Sequence, residues 1–100
     1  MFEVEGIVYT LKFNAKKLKT IEMLAKTSVV GEMVKNNGVL PYNLLELLFS
    51  FGLVEEKTNE AVPQKKAAEM FEKVVEENGY LITNNAVLEK FQADMGFMFR

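Results

Sequence analysis

Residues Phe2 to Phe13 constrain this chain more than any other stretch. Apolar side chains alternate along two runs, Phe2 to Val4 and Ile7 to Phe13, separated by Glu5-Gly6. A period of two marks a strand with one buried face, and two such runs joined by two turn-forming residues read as a β-hairpin. A two-residue loop sets Val4 opposite Ile7 and Phe2 opposite Tyr9. Phe2, Val4, Ile7, Tyr9, Leu11 and Phe13 then share one sheet face, with Glu3, Val8, Thr10 and Lys12 on the other. An isolated hairpin is marginal in water, so its apolar face needs helices to lie on.

The remainder of the chain reads as helix. Asn14 suits an N-cap, because its side-chain oxygen can accept from the free N–H groups that open a helix. Leu18, Ile21, Leu24 and Ala25 recur at three- to four-residue spacing, predicting an amphipathic helix of about three turns. Thr27-Ser28 ends it and caps a short helix carrying Val30, Met33 and Val34, which stops at Asn36-Asn37-Gly38. Pro41 suits the first turn of a third helix, where a missing N–H costs nothing. Leu44, Leu45, Leu47, Leu48, Phe49, Phe51, Leu53 and Val54 make that helix apolar nearly all round. Such a helix is central to a domain, and a small domain leaves part of it as assembly surface.

Glu55 to Val62 reads as a polar loop, and Pro63 opens a fourth helix with Ala67, Met70, Phe71, Val74 and Val75 as its stripe. Glu69 and Lys73 have the spacing of a surface pair. Asn78-Gly79 stops that helix. A last helix runs from about Tyr80 to Asp94, with Leu81, Val87 or Leu88, Phe91 and Met95 inward and Ala86 as a flat spot for close packing. The expected fold is mainly α with an N-terminal β-hairpin (α+β), the hairpin packed on four to five short helices. One domain spans 1–100: hairpin 1–14, helical body 15–95 and an apolar C-terminal tail 96–100.

Composition narrows the function. The chain is 49% hydrophobic, too apolar for disorder, yet no run approaches the roughly 18 to 20 apolar residues of a membrane span. Its acidic, alternating start is unlike a signal peptide, so an intracellular protein is expected. There is no Cys and no His, which excludes disulfides, thiolate or imidazole metal sites and Ser-His or Cys-His nucleophile pairs. Asp94 is the single Asp, so a paired-Asp site is excluded, and no phosphate-binding loop is present. The expectation is a non-enzyme without metal or cofactor.

Charge points the same way. Residues 1–50 carry six Lys against five Glu, and residues 51–100 carry six basic against nine acidic residues. Lys12, Lys16, Lys17, Lys19 and Lys26 form the densest basic cluster, read as a solvated helix face in preference to a phosphate track. Val29 to Phe51 has the outline of a helix-turn-helix bent at Asn37-Gly38, but its second helix offers no Lys or Arg to a groove.

Met23, Met33, Met70 and Met95 are expected to fill core gaps, whereas Met98 is assigned to adaptable partner contact. Tyr42 and Tyr80 read as edge-of-core residues. The ending Gly96-Phe97-Met98-Phe99-Arg100 is unusually apolar for a terminus. Burying Phe97, Met98 and Phe99 would stabilise by roughly 1.5–3 kcal/mol each. The tail therefore either folds back on the core or acts as a hydrophobic hook, and the sequence leaves both open.

The Phe2-Glu3-Val4-Glu5-Gly6 opening, Tyr9 to Asn14, the Lys-bearing helix, the Leu-rich Leu44 to Leu53 segment, Glu76-Glu77-Asn78-Gly79-Tyr80 and the aromatic ending together resemble the small tail assembly chaperones of tailed phages and prophages of Gram-positive bacteria. The resemblance spans essentially the whole chain. It implies a non-enzymatic protein of the bacterial host cytoplasm, absent from the finished virion, that keeps the long helical tape measure protein soluble until tail tube subunits polymerise around it. The tape measure protein is the expected partner, with the tail tube protein and weak homo-oligomerisation as further expectations. Many members also exist in a longer, frameshifted form. The family offers no sharp binding motif, so partner-binding residues are assigned from the apolar tail itself: Phe97, Met98 and Phe99. The alternatives are a small helical DNA-binding regulator, from the lysine cluster, and a generic protein–protein adaptor.

Overall fold

The computed structural model describes residues 2–99. The chain runs β1 (Phe2–Val4), β2 (Ile7–Leu11), α1 (Ala15–Ala25), α2 (Val29–Lys35), α3 (Tyr42–Gly52), β3 (Leu53–Glu55), α4 (Gln64–Asn78) and α5 (Tyr80–Asp94), then a 3-10 turn at Gly96–Phe99. It is the mainly helical α+β fold expected.

The hairpin has the expected register, Phe2 opposite Tyr9 and Val4 opposite Ile7. Glu5 and Gly6 both take positive φ, 51° and 83°, the type I′ combination whose twist matches the strands it joins. The hairpin is not alone, however. Leu53 to Glu55, expected as the end of a helix and the start of a loop, form a third strand antiparallel to β2 with Leu11 opposite Leu53 and Tyr9 opposite Glu55. The N–H of Lys12 donates to the carbonyl of Gly52 at 2.9 Å, and the chain turns extended at Leu53. Leu53 and Val54 are buried there, so one pair of apolar residues serves the sheet instead of a further helical turn.

Capping follows the sequence. Asn14 Oδ1 accepts the N–H of Lys17 at 2.8 Å, and Ser28 Oγ accepts that of Gly31 at 3.0 Å. Pro41 and Pro63 stand one residue ahead of α3 and α4 as extended lead-ins. The central helix is α3, which packs against α1, α4, α5 and β2. It buries Leu44, Leu45, Leu48 and Phe49 and leaves Leu47 and Phe51 half-buried, so little of it remains as the assembly surface expected.

Several inward assignments need correction. On α1 only Leu18 and Ile21 are buried; Met23 and Leu24 are exposed, so Met23 fills no core gap. An eleven-residue helix lying on α3 offers one narrow stripe, and residues beyond it face water. On α2 Val29 and Met33 are buried and Val34 is exposed. On α5 the inner face is Asn84, Val87, Leu88 and Phe91, with Tyr80 half-buried at its start, which turns Leu81 and Ala86 outward. Lys90–Asp94, at 2.6 Å, is the ion pair found among the described residues; Glu69 and Lys73 form none.

Two long-range clamps fix α5. Buried Asn84 accepts the N–H of Leu40 at 2.9 Å and donates to the carbonyl of Gly38 at 2.8 Å, while the Tyr80 hydroxyl donates to the carbonyl of Leu40. At the other end, Asp94 Oδ2 accepts the N–H of Phe13 at 2.9 Å.

Candidate partner-binding site

The helices bury only part of the hairpin's apolar face. Tyr9, Leu11 and, just past the strand, Phe13 are buried; Phe2 is half-buried; Val4 and Ile7 at the turn are exposed. Phe2 marks the boundary, stacking on Tyr9 at 5.8 Å and on Phe49 at 5.9 Å between ring centroids.

A cleft opens on each side of this ring. One, of about 280 Å³, lies between the sheet and the last two helices and is walled chiefly by Phe2, Leu11, Phe49, Val74, Ile82 and Val87. The other, of about 520 Å³, lies between the outer hairpin and α4; Val4, Ile7, Tyr9 and Met70 supply its apolar wall, with Lys66, Glu69, Lys73 and Glu77 along the helix. Phe2, Val74 and Asn78 line both, so the two clefts are neighbours with these side chains between them. An apolar wall bordered by charges of both signs suits an amphipathic segment. Lys90, on the smaller cleft, is held by Asp94. Burial pushes the Asp94 carboxyl up, but hydrogen bonds from Lys90 and the Phe13 N–H, with the charges of Lys90 and Lys12, hold it below its ordinary value.

The tail residues lie elsewhere. Phe97 and Met98 are 55% and 38% exposed on the 3-10 turn, anchored by the Met98 N–H donating to Met95 at 2.9 Å. Neither lines either of these two clefts. The side chain of Phe99 lies outside the described residues. Sequence reasoning missed the cleft residues Phe2, Val74 and Ile82. The available signals are a hairpin face of six apolar residues, more than a small domain readily covers, and Leu81-Ile82, an apolar pair in the first turn of the last helix in addition to its Val87, Leu88 and Phe91 stripe.

Compared with models of protein families, with curated proteins and with solved structures, the chain matches none. Among the described residues, no helix is long and apolar enough to cross a membrane.

Proposed function

We propose that the chain is a phage or prophage tail assembly chaperone, a non-enzymatic protein that holds the tape measure protein through apolar surface. On this reading it works in the host cytoplasm, hands its client to polymerising tail tube subunits and is absent from the virion. The observation that supports it best is the pair of neighbouring, apolar-walled clefts on either side of Phe2. A long helical client exposes rows of Leu- or Phe-sized side chains, each worth roughly 1.5–3 kcal/mol when moved out of water. Two or three such side chains give grip without permanence, because association itself costs several kcal/mol. Phe97 and Met98 add a second, detached apolar contact.

The test is co-expression with the tape measure protein, reading its soluble yield. The wild-type chain raises the yield, and Ile82→Glu, at an exposed position on the cleft wall, abolishes the rise without changing the melting temperature. A soluble yield that does not respond to the wild-type chain overturns the reading.

A further inference from the structure

The two edges of the sheet differ. Along the outer side of β3, residues 60–62 stand in for a further strand. There the N–H of Glu55 donates to the carbonyl of Glu60 at 2.9 Å, that of Val62 donates to the carbonyl of Leu53 at 3.2 Å, and Val54 bridges Ala61. β1 is the opposite edge, and among the described residues no backbone hydrogen bond reaches it from beyond the hairpin.

The direction of that edge follows from its neighbours. The carbonyl of Val8 accepts the N–H of Glu56 at 3.0 Å, so the backbone of Val8 is turned to β3. Glu3 is opposite Val8, and in an antiparallel ladder the N–H and C=O of such a residue point away from the partner strand. Both groups of Glu3 therefore point off the sheet. All three residues of β1 line the larger cleft, so this edge runs beside the apolar wall formed with Met70 and Val74. Charge on the cleft is mixed but unequal: Glu3, Glu5, Glu69 and Glu77 against Lys66 and Lys73, with Lys73 one turn from both Glu69 and Glu77.

We propose that β1 takes an extended segment of another protein, apolar–basic–apolar in sequence, as a fourth, antiparallel strand. A helix satisfies its own backbone and leaves the Glu3 groups in water, whereas an extended segment pairs with both. The residue that exchanges bonds with Glu3 has its side chain on the same sheet face as the Glu3 carboxylate, so Lys or Arg suits it. Its two neighbours point to the other face, over the cleft, and apolar side chains there continue the Phe2 and Val4 row toward α4. The acidic excess of the cleft favours a basic segment over an acidic one. This strand partner does not rest on the tape measure reading, and its failure would leave that reading untouched.

The probe is a synthetic peptide of about eight residues alternating Val and Lys, added to the full chain in about 50 mM salt and followed by NMR. The Glu3 amide is expected to shift and to exchange more slowly when the peptide binds. N-methylation of the Lys amides, which face Glu3, weakens binding about tenfold, and N-methylation of the Val amides, which face water, leaves it unchanged. A Val-Glu peptide binds at least about tenfold more weakly than Val-Lys. Glu3→Pro removes the outward donor without breaking a bond to β2 and loses about tenfold, while Glu3→Gln keeps the donor and loses about threefold. If Glu3→Pro unfolds the hairpin, the pair of methylated peptides decides alone. No binding up to about 1 mM overturns the proposal. So does equal binding by the two methylated peptides, or a Glu3 amide that the peptide leaves unprotected. A Glu3 amide already protected without peptide, in a chain sedimenting at twice 11.4 kDa, gives the edge to a second copy and overturns it too.

Discussion

The ring of Phe13 lies on the bare α-carbon of Gly52: a Cβ added there would come within 2.7 Å of ring atoms Cε1 and Cζ. The ring has little freedom to retreat, being buried and edge-on to Phe91 at 5.4 Å. Gly52→Ala is expected to cost about 1–3 kcal/mol by overpacking. Urea unfolding of Gly52→Ala, Phe13→Leu and the double variant checks it, the double recovering part of the loss through a non-additive coupling. Simple additivity would mean the contact is not felt.

Asp94 joins the end of the hairpin to the end of α5, and its carboxyl is held below the ordinary value. Its folded form binds a proton less readily than the unfolded chain, so its contribution is complete above the unfolded value of about 3.9 and is lost as pH falls through the folded one. Asp94→Asn is expected to be less stable than wild type at neutral pH and to lose less on acidification. Urea midpoints of both forms from about pH 6 to about pH 2 check this; parallel curves would remove Asp94 from the acid response.

Asn84 uses both ends of its amide on the segment before α3. Asn84→Ala leaves the Leu40 N–H and the Gly38 carbonyl without these partners, at about 1–3 kcal/mol for each group that water cannot reach. Asn84→Asp keeps an acceptor for Leu40 but loses the donor and buries a charge, so it is expected to be the worse of the two. Thermal melts that rank them the other way would refute this account.

Ser50 points the opposite way. Its hydroxyl is buried in α3 with no hydrogen-bond partner. Ser50→Ala removes that cost and adds helix propensity, and it is expected to stabilise by up to about 1 kcal/mol. A lower urea midpoint would show that the hydroxyl has a partner after all.

What can be read from the sequence is what the chain does locally. The register of Phe2 with Tyr9 follows from a two-residue turn, and Asn14 and Ser28 announce helices through their own side chains. The third strand is hidden because Leu53 and Val54 continue an apolar helical run, and only pairing with β2, far back along the chain, makes them extended. Asn84 looks like any polar helix residue until Gly38 and Leu40 are folded against it. The clefts are hidden for the same reason. Phe2, Val74 and Ile82 come from three elements, and nothing near any of them along the chain says that they share a wall. The tail residues Phe97 and Met98 were easier to single out, since an apolar ending is visible without knowing what surrounds it.

Pairing Leu11 with Leu53 makes everything from Lys12 to Gly52 a single closed excursion, holding α1, α2 and α3 between two neighbouring strands. On a ribosome the hairpin therefore emerges with the second edge of β2 bare and stays so until Leu53 to Glu55 follow. Closing so long a loop costs chain entropy that only the packed helices offset. A pause in translation between residues 15 and 52 would lengthen the time in which that edge is open to a strand from another nascent chain.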